Sequence, residues 1–222
     1  MMGEWIFRNS TNQDWISLVF FVNLILVFAL FQFDPTRTKR LLKFYASDIY
    51  VSKYNNDKNL NFLSPFNLLS FLILINTLCL FFLSLSKFNF NSIQFSFEYY
   101  YLFLMLLVFI SIRYLLVWFT MKQMGLLRAL KPLLFKSFSH HIQFALTLFL
   151  FLLVSYFSPI SLELFLGIFI LVGGGWCFYQ FRILFSLFQS RPKDVLYIIL
   201  YLCTLKLIPW YWFYIFTIEP RL

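Results

Sequence analysis

Residues 15–33 read WISLVFFVNLILVFALFQF, and residues 34–43 continue as DPTRTKRLLK. Nineteen positions pass without a charge, and then Arg37, Lys39, Arg40 and Lys43 arrive close together. A hydrocarbon core about 30 Å thick is crossed by roughly 20 apolar residues in a helix, each rising about 1.5 Å. The apolar run therefore predicts a transmembrane helix. The basic run predicts its cytoplasmic flank, because Lys and Arg collect on that side of a membrane.

Working outward, five more stretches meet the same length rule. Residues 66–86 follow Pro65, a residue tolerated where a helix begins. Residues 99–121 contain one charge, Arg113, and residues 142–157 form a shorter run that ends before Ser158 and Pro159. Residues 162–181 contain the triplet Gly173, Gly174 and Gly175, and residues 195–218 contain Lys206 and Pro209. The runs are apolar on every face, which excludes the alternating pattern of a membrane β-barrel. The expected fold is an all-α polytopic transmembrane bundle of six spans, a single membrane domain over residues 1–222.

Composition agrees. Of the 222 residues, 61% are hydrophobic and 12% charged, against roughly 25% charged in soluble domains. Thirty-three Phe would leave large exposed patches in water, whereas lipid accepts them. The net charge of +9 invites a nucleic-acid reading, but basic clusters in so apolar a chain mark cytoplasmic loops, and no nucleic-acid partner is expected. Cys79, Cys177 and Cys203 lie in apolar runs without CxxC spacing, so they read as small buried hydrophobes rather than metal ligands. No cleavable signal peptide is evident in the polar first fourteen residues.

Orientation follows from the basic side chains. The first, third and fifth loops hold Arg37, Lys39, Arg40, Lys43, Lys53 and Lys58, then Lys122, Arg128, Lys131 and Lys136, then Arg182, Arg191 and Lys193. The opposite side holds Arg8, Lys87 and Arg221. This bias turns the odd loops to the cytoplasm and both termini to the outside. Residues 38–50 place Leu41, Leu42, Tyr45 and Ile49 near one helical face beside Lys39, Arg40 and Lys43. Residues 121–138 repeat the mixture with Lys122, Arg128, Lys131 and Lys136. Both stretches predict basic interfacial helices lying among anionic lipid headgroups.

Two features inside the spans carry the functional expectations. Lys206 falls roughly 17 Å into the core, where a lysine costs about 2.5–3.5 kcal/mol on insertion scales and turns to a bundle interior. The glycine triplet lies at similar depth, and small residues there admit a close neighbour or free their carbonyls. A lock between Lys206 and Gly173–Gly175 is one expectation; a partner's carboxylate on Lys206, or a transport site, are the others. Arg113 is expected to snorkel to the headgroups. Adjacent His140 and His141 point about 100° apart and are expected at the solvated interface rather than on a metal. No nucleophile elbow, zinc-protease, Walker or dinucleotide motif is present, so no catalytic residue and no cofactor are assigned.

The segment from Leu200 through Tyr201, Leu202, Cys203, Thr204, Leu205, Lys206, Leu207 and Ile208 to Pro209 resembles the closing motif of a family of polytopic inner-membrane proteins of Gram-negative bacteria. That family is grouped as a domain of unknown function in the four-thousand-two-hundred series. The resemblance extends to the order of elements: an external N-terminus, a first span, a basic juxtamembrane helix, then paired spans. It implies a bacterial inner-membrane location with N- and C-termini in the periplasm, and it implies no activity. The family pattern usually carries Glu at the place of Lys206. Taken together, the expected function is a non-catalytic integral subunit or scaffold of a complex in envelope biogenesis or protein export, with membrane-protein partner subunits. The alternative is a small transporter or lipid-handling protein using a groove around Lys206 and the glycines.

Overall fold

The computed structural model describes residues 14–43, 50, 53–54, 64–87, 99–123, 127–158, 161–190 and 211. Among the described residues six α-helices follow one another: α1 (Asp14–Phe33), α2 (Pro35–Leu42), α3 (Pro65–Lys87), α4 (Tyr99–Gln123), α5 (Leu127–Phe157) and α6 (Leu162–Ser190). Five of them contain stretches long and apolar enough to cross a membrane: Trp15–Phe33, Pro65–Ser84, Tyr99–Phe119, Leu134–Phe157 and Glu163–Arg182. Among the described residues the fold is all-helical. The sixth expected span, residues 195–218, lies outside them apart from Tyr211.

Local chemistry sets the helix boundaries on the side of the first loop. Asp34 caps α2: its Oδ1 accepts the Arg37 backbone N–H at 2.8 Å, and Pro35 occupies the first turn, where a missing N–H is harmless. The Asp34 N–H still bonds the Leu30 carbonyl at 3.3 Å. The chain therefore turns from α1 into α2 without an intervening loop. Ser64 repeats the device before Pro65, its Oγ accepting the Asn67 N–H at 3.4 Å.

The central helix is α3. Of its membrane window 61% is buried within the bundle, against 11% for α6, so among the described helices α6 is peripheral. α3 packs against α1, α4 and α5; α6 rests mainly on α5, and α2 tucks beneath α1 and α5. Three apolar clusters fill the contacts. One gathers Ile16, Val19, Phe20, Leu80, Phe81, Leu148, Phe149, Leu152 and Phe165; the second joins Leu30, Leu41, Tyr50, Phe66, Ile73, Phe135, Phe138, Ile142 and Leu146. The third seats α4 through Leu102, Leu106 and Ile110 against Leu74, Ile75, Cys79 and Ala145. In these clusters consecutive spans contribute opposite ends, as Ile16 and Phe20 do against Leu80 and Phe81, while α3 and α5 contribute like ends, so consecutive spans run antiparallel.

Two expectations about the basic stretches are corrected. Residues 121–138 are not a separate interfacial helix: 121–123 end α4, while Leu127 opens a 31-residue α5 that runs unbroken through the fourth span. At about 1.5 Å per residue α5 is roughly 46 Å long, so its first turns extend past the hydrocarbon core. The span starting at Ile142 is thus the second half of a longer helix. In the first loop the helix covers Pro35–Leu42, beginning three residues earlier than expected because Asp34 and Pro35 start it; residues 44–49 lie outside the described ones.

Candidate functional site

At the end of the bundle that carries the first basic loop, the C-terminus of α1, all of α2, the N-terminus of α3 and the early turns of α5 converge. Arg37 sits at their junction. Its Nε donates to the Tyr50 hydroxyl at 3.0 Å and its Nη2 to the Asn67 Oδ1 at 2.9 Å, while its guanidinium carbon lies 4.0 Å from the centre of the Phe66 ring. Tyr54 presents a second ring at 5.3 Å. Tyr50 is buried against Phe135, ring centroids 6.0 Å apart and nearly parallel. Burial pushes the Tyr50 hydroxyl above its usual 10.0, and the neighbouring Arg37 charge pulls against that rise without reversing it.

Next to this cluster, buried Gln143 on α5 donates from Nε2 to the Leu41 carbonyl at 2.8 Å, supplying an acceptor at the end of α2 with a partner. Thr38 hydroxyl donates to the Leu30 and Asp34 carbonyls at 3.1 and 2.8 Å. Further along α5, Ser137 donates to Gln180 Oε1 on α6 at 3.2 Å. His140 lies against Tyr179 with ring centroids 4.0 Å apart, and His141 meets Trp176 edge-on at 5.3 Å. His140 is therefore buried at a helix contact, not solvated as its sequence position suggested. The two histidines face different rings of α6, and among the described residues no group of three His, Cys, Asp or Glu could hold a metal ion.

Deeper in the bundle the polar contacts are single bridges. Asn23 on α1 donates to Thr77 on α3 at 3.2 Å, both fully buried, with the Asn23 Oδ1 left unbonded. Tyr99 on α4 donates to Asn76 on α3 at 2.8 Å.

The residues singled out from the sequence fall in different places. Lys39 and Lys43 are exposed on and just after α2, and Arg40 is half-buried. Lys122 is exposed at the end of α4, its ammonium 5.0 Å from the Trp118 ring. Lys136 is half-buried on α5; Arg128 and Lys131 belong to the same helix, with side chains outside the described set. Arg113 is half-buried on α4. Lys206, Tyr201 and Pro209 lie outside the described residues, so the Lys206–glycine pairing does too.

The glycines themselves are visible. α6 passes through Gly173–Gly175 as one continuous helix. A Cβ at Gly174 or Gly175 would meet nothing within 4 Å, and one at Gly173 would touch only its own helix's Phe169 ring at 4.0 Å. Among the described residues, then, no helix makes the close approach expected at the triplet. α6 instead rests on its Phe165, Phe169, Trp176 and Tyr179 stripe: Phe169 stacks on Phe81 at 4.5 Å, and Trp176 meets Phe144 at 5.1 Å.

Sequence reasoning counted Arg37 only as one positive charge and passed over Tyr50, Asn67, Gln143 and Gln180. The available signal was their polarity: amides within or beside apolar spans are costly unless paired, which marks them as interhelical bonding groups.

Comparison with curated proteins and with solved structures finds no match. A family model, by contrast, matches residues 9–216, nearly the whole chain. The chain belongs to the family described as a domain of unknown function, DUF4271.

Proposed function

We propose that the protein is a non-catalytic scaffold of the bacterial inner membrane, a subunit of a multiprotein complex serving envelope biogenesis or export, with both termini outside the cytoplasm. The observation that carries the reading is how the described polar side chains are used. Gln143, Ser137, Asn23 and Tyr99 each bond a neighbouring helix. Groups committed in this way fasten the bundle. An enzyme or carrier site instead needs polar groups converging on a space for substrate. The continuous α6 points the same way, since carriers that bind substrate at the midplane use unwound helices with freed carbonyls.

The peripheral α6 supplies the contact face of the scaffold. Ile170, Leu171, Phe178 and Phe181 are exposed beside open Gly174 and Gly175, and small residues are where a second membrane helix approaches most closely. Purification in a mild detergent followed by mass spectrometry of co-eluting proteins tests the reading, with Gly174→Leu as the probe. A scaffold keeps its melting temperature in that variant and loses its co-eluting membrane proteins. An unchanged set of proteins, or none in the wild type, refutes the proposal.

A further inference from the structure

Four described groups hold Arg37, and none of them is a carboxylate. A guanidinium carries five N–H donors. Two of Arg37's are used, by Tyr50 and Asn67, and the remaining three have no acceptor among the described residues. Its described partners are neutral: a phenol, an amide and two aromatic rings. The nearest acid in sequence, Asp34, commits its Oδ1 to the α2 N-cap and the Thr36 hydroxyl. Lys39 on the same short helix and Lys43 just after its end add exposed positive charge.

Position identifies what this fork meets. α2 begins immediately after a 19-residue span, with only Asp34 between the helices. Headgroup layers occupy about 5–8 Å on each side of the hydrocarbon core, which is the depth of the first turn of α2. Planar guanidinium recognises phosphate through two parallel N–H bonds. Here the ring of Phe66 and the bonds to Tyr50 and Asn67 fix that plane beforehand, so little side-chain freedom is lost on binding. Basic pockets at helix junctions on the inner face suit anionic headgroups. We propose that Arg37, oriented by Tyr50, Asn67 and Phe66, binds the phosphate of an anionic lipid headgroup on the basic side of the membrane. The site is independent of the scaffold reading.

The test compares melting temperatures of the full chain in nanodiscs of phosphatidylcholine alone and of phosphatidylcholine with phosphatidylglycerol. Phosphatidylglycerol is expected to raise the wild-type value; Arg37→Gln loses most of that rise, and Lys122→Gln, which removes an exposed charge on α4, keeps it. Equal rises in wild type and Arg37→Gln overturn the site, and so does an equal loss in Lys122→Gln, which would make the effect one of net charge. Adding inorganic phosphate to detergent-solubilised protein gives no rise; a rise there overturns the lipid assignment. Should Arg37→Gln fail to fold, native mass spectrometry of the wild type decides. Phosphatidylglycerol adducts must survive collisional activation that strips phosphatidylcholine, and indiscriminate loss of both refutes the proposal.

Discussion

Where Trp15, Phe20, Phe149, Tyr156 and Phe165 gather, rings meet rings; where Arg37, Tyr50, Asn67 and Gln143 gather, donors meet acceptors. Both ends close the same bundle, yet by different forces. Lipid tails are as apolar as the side chains they surround, so burial alone does not drive helices together in a membrane. The ring-filled end relies on many small dispersion contacts, each about 0.1–0.2 kcal/mol per atom pair and without direction. The basic end concentrates its attraction in a few directional bonds, some of them to a charge and worth about 1.5–3 kcal/mol each. The first kind of packing tolerates exchange of one apolar shape for another. The second fixes register, because a donor displaced by an ångström is a bond lost.

Substitutions can break this contrast. Arg37→Met removes two charge-assisted bonds and should lower stability by about 3 kcal/mol, read by denaturant titration in mixed micelles; a loss below that of a ring-end swap would erase the distinction. Gln143→Leu leaves the Leu41 carbonyl buried without its donor and should cost about 2 kcal/mol, measured the same way. At the other end, Phe20→Leu keeps an apolar filling and should cost about 1 kcal/mol, although Phe20 is among the largest fully buried side chains. Thr77→Val deletes a single midplane bridge to Asn23, and such bonds average about 0.6 kcal/mol in membranes.

The smallest effect is a slope. Because the folded Tyr50 hydroxyl titrates above its unfolded value of 10.0, the folded state holds that proton longer. Its contribution to stability is complete below pH 10 and is lost as pH rises through the folded value. The melting temperature should therefore fall more steeply with alkali in the wild type than in Tyr50→Phe. Parallel curves would show that Tyr50 keeps its proton no more firmly folded than unfolded.

How much of this was legible from residues alone depends on the reach of each rule. The spans were, since the length and apolarity of 15–33, 66–86 and 99–121 decide a membrane helix without reference to any neighbour. The start of the fourth was not. Lys136, His140 and His141 look like an interface in sequence, but a helix longer than the membrane is thick carries polar residues on its protruding turns and buries His140 against Tyr179. The Arg37 cluster was illegible for a different reason. Its parts come from positions 37, 50, 66 and 67, and nothing in local spacing says that a tyrosine between two spans and a helix-start asparagine share one guanidinium. The glycine triplet was visible as a motif, while the direction its open side faces is a property of how α6 leans on α5.

The bond from Gln143 to the Leu41 carbonyl spans 102 residues. Ribosomes add about 5–20 residues per second, so the carbonyl at the end of α2 is synthesised roughly 5–20 seconds before its donor. Until then, another donor must serve that acceptor. A chain truncated before α5 would keep the same exposed group indefinitely, which gives membrane quality control a feature by which to tell an unfinished bundle from a completed one.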